Sequence, residues 1–201
     1  MYIPKIFAAT DQQEILSFMQ EHSFATLITA TDNVPTATHL PFVISVRDDK
    51  VVLTSHFARA NEQWKEIADN QVLVIFAEPH AYISPGHYDK EQNVPTWNYF
   101  SVHAYGQGQV LPDSDRAFEV LEATINTYEK EYKSQWDSLP DDYKQKMVRG
   151  IVAFEIVVTD LQAKKKLSQN RTEVEQRRIK EVLSESTRTH EREVADYMKL
   201  N

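Results

Sequence analysis

The spacing of apolar residues switches repeatedly between a helical and a strand period. Thr10 followed three residues later by Gln13 forms a capping-box pattern, and Ile15, Leu16, Phe18 and Met19 then recur at helical spacing, which predicts a first helix over about 11–22. Short β-branched runs follow at 24–30, 36–45 and 51–57, separated by polar turns at 31–33 and 47–50, and read as an antiparallel meander. A short helix with Trp64 and Ile67 on one face precedes a strand over 71–83 that breaks near Pro79, and 84–95 reads as a loop. Residues 99–111 form a long strand whose Gly106 and Gly108 imply a bend or a close backbone approach. Asp113 or Ser114 caps a helix that turns Phe118, Leu121, Ile125 and Tyr128 inward, and Pro140 opens another short one. Residues 150–158 are the last strong strand, and 171–198 reads as one long charged helix.

About six antiparallel strands interrupted by helices predict a mainly β fold with helical additions (α+β): a small closed or partly closed barrel. The expected organisation is a barrel domain over 1–163 and a helical extension over 164–201. The last helix carries only Val174, Ile179, Val182, Leu183, Val194 and Met198 as large apolar residues, too few to bury its whole length on its own core. It is therefore expected to pack on a partner or lie exposed.

Composition narrows the class. At 201 residues, with 41% hydrophobic and 26% charged positions, the chain suits one compact domain with a small appendage. The absence of cysteine excludes disulfides, thiolate metal sites and cysteine nucleophiles. No apolar run approaches the roughly 18 residues of a membrane helix, and the Met-Tyr-Ile-Pro start lacks the order of a signal peptide, so a cytoplasmic protein without membrane association is expected. The net charge of −8 is unevenly spread. Residues 164–192 hold nine Lys/Arg against five Glu, a local +4, so the remainder carries −12 and any nucleic-acid contact falls on that basic segment.

The seven histidines show no i, i+4 pair and no carboxylate companion at a metal-ligand interval, and no G-x-S-x-G elbow is present. Gly106-Gln107-Gly108 lies inside a strand and lacks the third glycine of a dinucleotide fingerprint. Three polar stretches stand out. Residues 54–61 place Ser55, His56, Arg59 and Asn61 where a strand passes into a helix, an arrangement that suits a phosphomonoester as well as an ordinary cap with a paired arginine. Residues 94–99 combine Pro95 with Trp97, Asn98 and Tyr99, a wall for a planar ring or two core aromatics. Residues 166–171 gather Lys166, Ser168, Asn170 and Arg171, an anion or interface cluster or a helix lead-in.

Taken together, Met1-Tyr2-Ile3-Pro4 with Phe7, His39-Leu40-Pro41-Phe42, residues 56–61, 81–85, 94–99, 102–104 and 166–171 occur in an order that resembles the PaiB family of FMN-binding-type negative transcriptional regulators. The resemblance implies a six-stranded split β-barrel related to the pyridoxamine-phosphate oxidase-like flavoproteins, a homodimer with FMN at the subunit interface, and repression of protease synthesis and sporulation. It further implies that Arg59, with Ser55, His56 and Asn61 nearby, holds the phosphate and that Trp97, Asn98 and Tyr99 border the ring. Lys166, Ser168 and Asn170 would reach across from the other subunit. Lys165 and His87 stand where the family pattern commonly has tryptophan. Repression would act directly on DNA through 164–192 or indirectly through a flavin or metabolite signal, and composition favours the indirect route. Two other classes fit the same residues: a flavin-dependent oxidoreductase of a small molecule, and a haem-handling protein using His39, His56, His87 or His103.

Overall fold

The computed structural model describes residues 1–199. In chain order the elements are α1 (Gln12–Glu21), β1 (Phe24–Thr31), β2 (Val34–Pro41), β3 (Val43–Arg47), β4 (Lys50–Ala58), β5 (Gln71–Phe76), β6 (His80–Ile83), β7 (Thr96–Val110), α2 (Ser114–Tyr128), α3 (Tyr132–Ser138), α4 (Asp141–Arg149), β8 (Ile151–Lys166), α5 (Glu173–Ser184) and α6 (Thr189–Tyr197). The strands form one sheet in the order β2-β1-β5-β7-β8-β4-β3, with β6 paired to β7. Every pairing with a defined register is antiparallel. The chain divides into two compact units: a sheet unit of Leu16–Ile75 and Ala104–Leu161, and a hairpin unit of Met1–Ile15, Phe76–His103 and the described part of the remaining C-terminal residues.

In the sheet unit the meander follows from its turns. Asp32 and Asn33 (φ 51° and 61°) and Asp48 and Asp49 (φ 51° and 59°) each occupy two successive left-handed positions, which short Asx side chains tolerate and which match the twist of a tight hairpin. The run expected as one strand over 36–45 is two, because Phe42 leaves the ladder to enter the core. Its N–H donates to the Ser23 carbonyl at 2.9 Å, and its carbonyl accepts from the Tyr128 hydroxyl at 3.0 Å. Fully buried Leu27, Leu53, Phe57, Val72, Val74, Phe154 and Ile156 fill the interior, with Phe57 stacked on Phe154 at 4.7 Å.

Both strand glycines mark close approaches. A Cβ on Gly106 would stand 2.4 Å from the Val157 carbonyl oxygen, and one on Gly108 would stand 2.8 Å from the Ile67 Cβ. A buried polar network fastens β1 and β2 to the short 3₁₀ turn at Glu62–Lys65. Gln63 donates to Thr29 Oγ1 and to the Thr36 carbonyl, both at 3.0 Å, and accepts from Thr38 Oγ1 at 2.6 Å. Thr29 Oγ1 in turn donates to Glu66 at 2.6 Å.

In the hairpin unit two expectations are corrected. β8 does not stop at 158 but runs to Lys166, with Ala163 buried and its carbonyl accepting from Ala9 N–H at 3.1 Å. The single long helix over 171–198 is two helices. Between them lie Glu-Ser-Thr-Arg, in which Ser186 and Thr187 are poor helix formers, and Ser186 Oγ bonds Glu191 and accepts the Arg188 N–H at 3.1 Å in place of a continued ladder. A capping box of Thr172 and Glu175 starts α5. Folding back lets Ile179, Leu183, Val194, Ala195 and Met198 close together over Ala81, Ile83 and Leu167. The segment expected to lie exposed or on a partner therefore buries its own apolar residues, leaving only Val174 and Val182 of that set exposed.

Two stability measurements test this account. Gln63→Leu removes the centre of the buried network and strands its partners, and is expected to cost about 2 kcal/mol, read as a lower urea midpoint at unchanged slope. Gly106→Ala, which forces a methyl against backbone, is expected to cost about 1–3 kcal/mol by the same assay.

Candidate functional site

The sequence-selected polar residues fall into two groups, one in each unit. In the sheet unit, Ser55 is buried on β4 and donates to the Pro41 carbonyl at 2.7 Å. His56, half-buried two residues before the strand ends, has its imidazole pushed below the ordinary value by burial. Arg59 lies just past β4. Its Nε donates to the Arg149 carbonyl at 2.8 Å and its Nη2 to the Ile151 carbonyl at 2.7 Å, fastening the end of β4 to the corner between α4 and β8. Asn61 caps the short turn through Gln63 N–H and donates to Thr38 Oγ1 at 2.9 Å. Arg59 also borders a cavity of about 370 Å³ with Trp64, Leu111 and Asp113. The polar atoms of Ser55 and Asn61 are thus already engaged within their own unit, and Arg59 has spent two of its guanidinium nitrogens on backbone carbonyls.

In the hairpin unit the pleat sorts the second group. Asn98 is fully buried and exchanges hydrogen bonds with Ser168, Nδ2 to Oγ at 2.9 Å and Oγ to Oδ1 at 3.1 Å. That pair holds Ser168 at φ 62°, a left-handed position that turns the chain out of β8. The Leu167 N–H donates to Gln169 Oε1 at 2.7 Å, and the Arg171 N–H to the Ser168 carbonyl at 2.9 Å, completing the turn. Asn170 is exposed on it. Trp97 and Tyr99 alternate with Asn98 and face the other side, Trp97 half in solvent.

Three cations lie with this group. Lys166 Nζ donates to Thr96 Oγ1 and, at 2.9 Å, to the Trp97 carbonyl. Lys164 Nζ sits 5.3 Å above the Tyr99 ring and 5.6 Å above the Tyr2 ring. Arg171 lies 3.7 Å over the Tyr88 ring and donates to Asn93 Oδ1 at 2.8 Å. Lys164 and Lys166 are held by neutral groups, and among the described residues none of the three has a carboxylate within ion-pair distance, Arg171 acting on the Glu175 carboxylate from farther away. Burial first, then repulsion from Lys164 and Arg171, pushes the Lys166 ammonium below its ordinary value.

Lys165, between the two other lysines, points elsewhere. It pairs at 2.5 Å with Glu14, which also meets Lys199 at 2.9 Å. Burial pushes the Glu14 carboxyl up, but the hydrogen bonds and charges of the two lysines outweigh it and hold that group below the ordinary range. Lys164, Thr96 and Tyr2 are not among the residues that the sequence assigns to a ligand site. The available signal was the alternation of Lys164 and Lys166, legible only if 159–166 is recognised as strand.

The donor set fits a phosphorylated aromatic cofactor such as FMN: an exposed indole and a phenol beside three cations in a chain of net charge −8. Known proteins agree in family and fold. The Protease synthase and sporulation protein PAI 2 of Bacillus subtilis is 42% identical over 98% of this chain and 96% of its own length. Among solved structures, the flavocytochrome Anf3 from Azotobacter vinelandii superposes with a TM-score of 0.65 at 13% identity, covering 82% of this chain and 72% of its own. The FAD and heme binding protein from Mycobacterium smegmatis does so at 0.61 and 14% identity, covering 79% and 72%. At such identities these likenesses establish the fold, the split barrel of flavoproteins, here with eight strands where six were expected. The family model described as "Putative FMN-binding domain" matches residues 1–160, and with the Bacillus relative spanning nearly the whole chain, this protein belongs to the PaiB family of FMN-binding-domain proteins.

Proposed function

We propose that this chain is an FMN-binding negative regulator of protease synthesis and sporulation, a role in keeping with the name of its Bacillus relative. The observation that carries the flavin placement is the excess positive charge on Lys164, Lys166 and Arg171 beside exposed Trp97. Lys166 takes the phosphate as a charge-assisted donor, with Lys164 and Arg171 adding attraction. Trp97 and Tyr99 border the ring, Asn98 and Ser168 position the turn that carries Asn170, and Asn170 lies at the rim. When bound, FMN supplies one- and two-electron transfer, and the protein's part is to bind and orient it. The second placement is the sheet-unit set, in which Arg59 with Ser55, His56 and Asn61 would hold the phosphate. It is weaker because Ser55, Arg59 and Asn61 already carry structural hydrogen bonds.

The protein acts as a cytoplasmic homodimer in this reading. Exposed Tyr2 and Val94 in the hairpin unit support a partner there. No helix among the described residues is long and apolar enough to cross a membrane. Repression runs through a flavin or metabolite signal, not through direct DNA contact by 164–192. That segment is no continuous basic helix: Arg177 meets Glu173 at 3.8 Å, Arg178 meets Asp89 at 3.0 Å, and Arg192 donates to the Ser186 carbonyl at 2.7 Å.

FMN titration followed by flavin fluorescence tests the placement. Lys166→Ala is expected to weaken binding at least about tenfold, as loss of one charge-assisted contact does, while Arg59→Ala changes it less than about twofold. The reverse result moves the phosphate to the sheet unit. Anion binding needs the ammonium form, so wild-type affinity should fall as pH rises through the lowered value of Lys166, and this arm should vanish in Lys166→Ala. In a protease-promoter reporter, Lys166→Ala is expected to derepress and Arg177→Glu to repress normally; derepression by Arg177→Glu with FMN affinity intact would favour direct DNA contact.

A further inference from the structure

A second cavity in the hairpin unit has a different chemistry. Among the described residues β6 pairs only with β7, and along it exposed His80 and Tyr82 alternate with buried Ala81 and Ile83. The register sets Tyr82 opposite Trp97, so the two rings share one face and meet edge to face at 5.8 Å and 74°. The first turn of α6 brings a fourth ring: His190 stacks on His80 at 5.6 Å and 10°, and His80 lies 5.7 Å from Trp97. With Arg188, Thr189 and Glu191 these rings line a cavity of about 410 Å³, a volume suited to one or two fused rings and their substituents.

The charged side chains here lie beside one another, unlike Lys164 and Lys166. Arg188 pairs with Glu191 at 3.2 Å, and His190 Nδ1 lies 3.8 Å from Glu193. The rest of the lining is mostly ring surface. Indole, phenol and neutral imidazole faces are electron-rich and favour an electron-poor ring bearing positive charge.

We propose that the cavity between β6, the start of β7 and the start of α6 binds a planar cationic nitrogen heterocycle of the pyridinium class, stacked on Trp97 and enclosed by Tyr82, His80 and His190. The site does not depend on the flavin reading but adjoins it: the two share the Trp97 wall, and His80 pairs with Tyr99 across β6 and β7.

The test uses 1-methylnicotinamide as the cationic probe and benzoate as a planar anion, read by quenching of the Trp97 fluorescence, defined as the part absent in Trp97→Phe. Saturable quenching by the cation and not by benzoate is expected. Tyr82→Leu or His190→Leu, both at exposed positions, should weaken the cation about tenfold. FMN titration of His190→Leu should match wild type, and Lys166→Ala should bind the probe as wild type does. Quenching that rises linearly without saturating, benzoate binding as tightly as the cation, or unchanged affinity in both cavity variants overturns the proposal. Loss of probe binding in Lys166→Ala overturns it as well, by making the cavity part of the flavin site. Failure of FMN to bind any form, with the probe pattern intact, overturns only the flavin placement.

Discussion

The pleat of β8 past Val158 is the constraint on which the chemistry of the hairpin unit depends. Eight mostly polar residues stay in the strand there, anchored by buried Ala163 and its bond to Ala9, and alternation then assigns the lysine run to two sides. Lys165 goes to Glu14, a carboxylate it shares with Lys199. Lys164 and Lys166 go to the side of Tyr99 and Trp97, where only neutral groups receive them. A one-residue slip would reverse both assignments, leaving two cations on the Glu14 side and one beside the rings. The anion-attracting character of the face is thus a consequence of register.

Polar residues that look functional in sequence divide by what the fold asks of them. Asn98 and Ser168 satisfy one another in a buried place where either alone would be costly, and so define the turn that follows β8. Asn61 and Gln63 perform a comparable service for β1 and β2. Arg59 is midway: exposed, but committed to two carbonyls left over at a helix end and a strand start. Residues of this kind support a ligand by positioning what touches it. The cations of the hairpin-unit group with no carboxylate within ion-pair distance are Lys164, Lys166 and Arg171, beside the half-exposed Trp97.

The two ring-lined regions of the hairpin unit adjoin: both use Trp97, and His80 of one pairs with Tyr99 of the other across β6 and β7. Around Lys166 the cations rest mainly on hydroxyl, carbonyl, amide and aromatic groups, whereas Arg188 in the neighbouring cavity meets Glu191.

The local code was readable without coordinates. Apolar period located α1, β1, β4 and the long β7; Asx pairs located two hairpin turns; and glycine within a strand marked the approach of Val157 to Gly106. The order of short motifs was sufficient for the family. These features act over a few residues, so the sequence by itself determines them. Tertiary structure decided the rest: that β8 continues through polar residues because another segment pairs with it, that 171–198 folds back into two helices whose apolar residues close over Ala81 and Ile83 of β6, and that Arg59 and Asn61 are spent on structure. It also decided which of three consecutive lysines keeps its charge unmatched, because the carboxylate that neutralises Lys165 lies 151 positions away in the chain and no local pattern reveals such a partner.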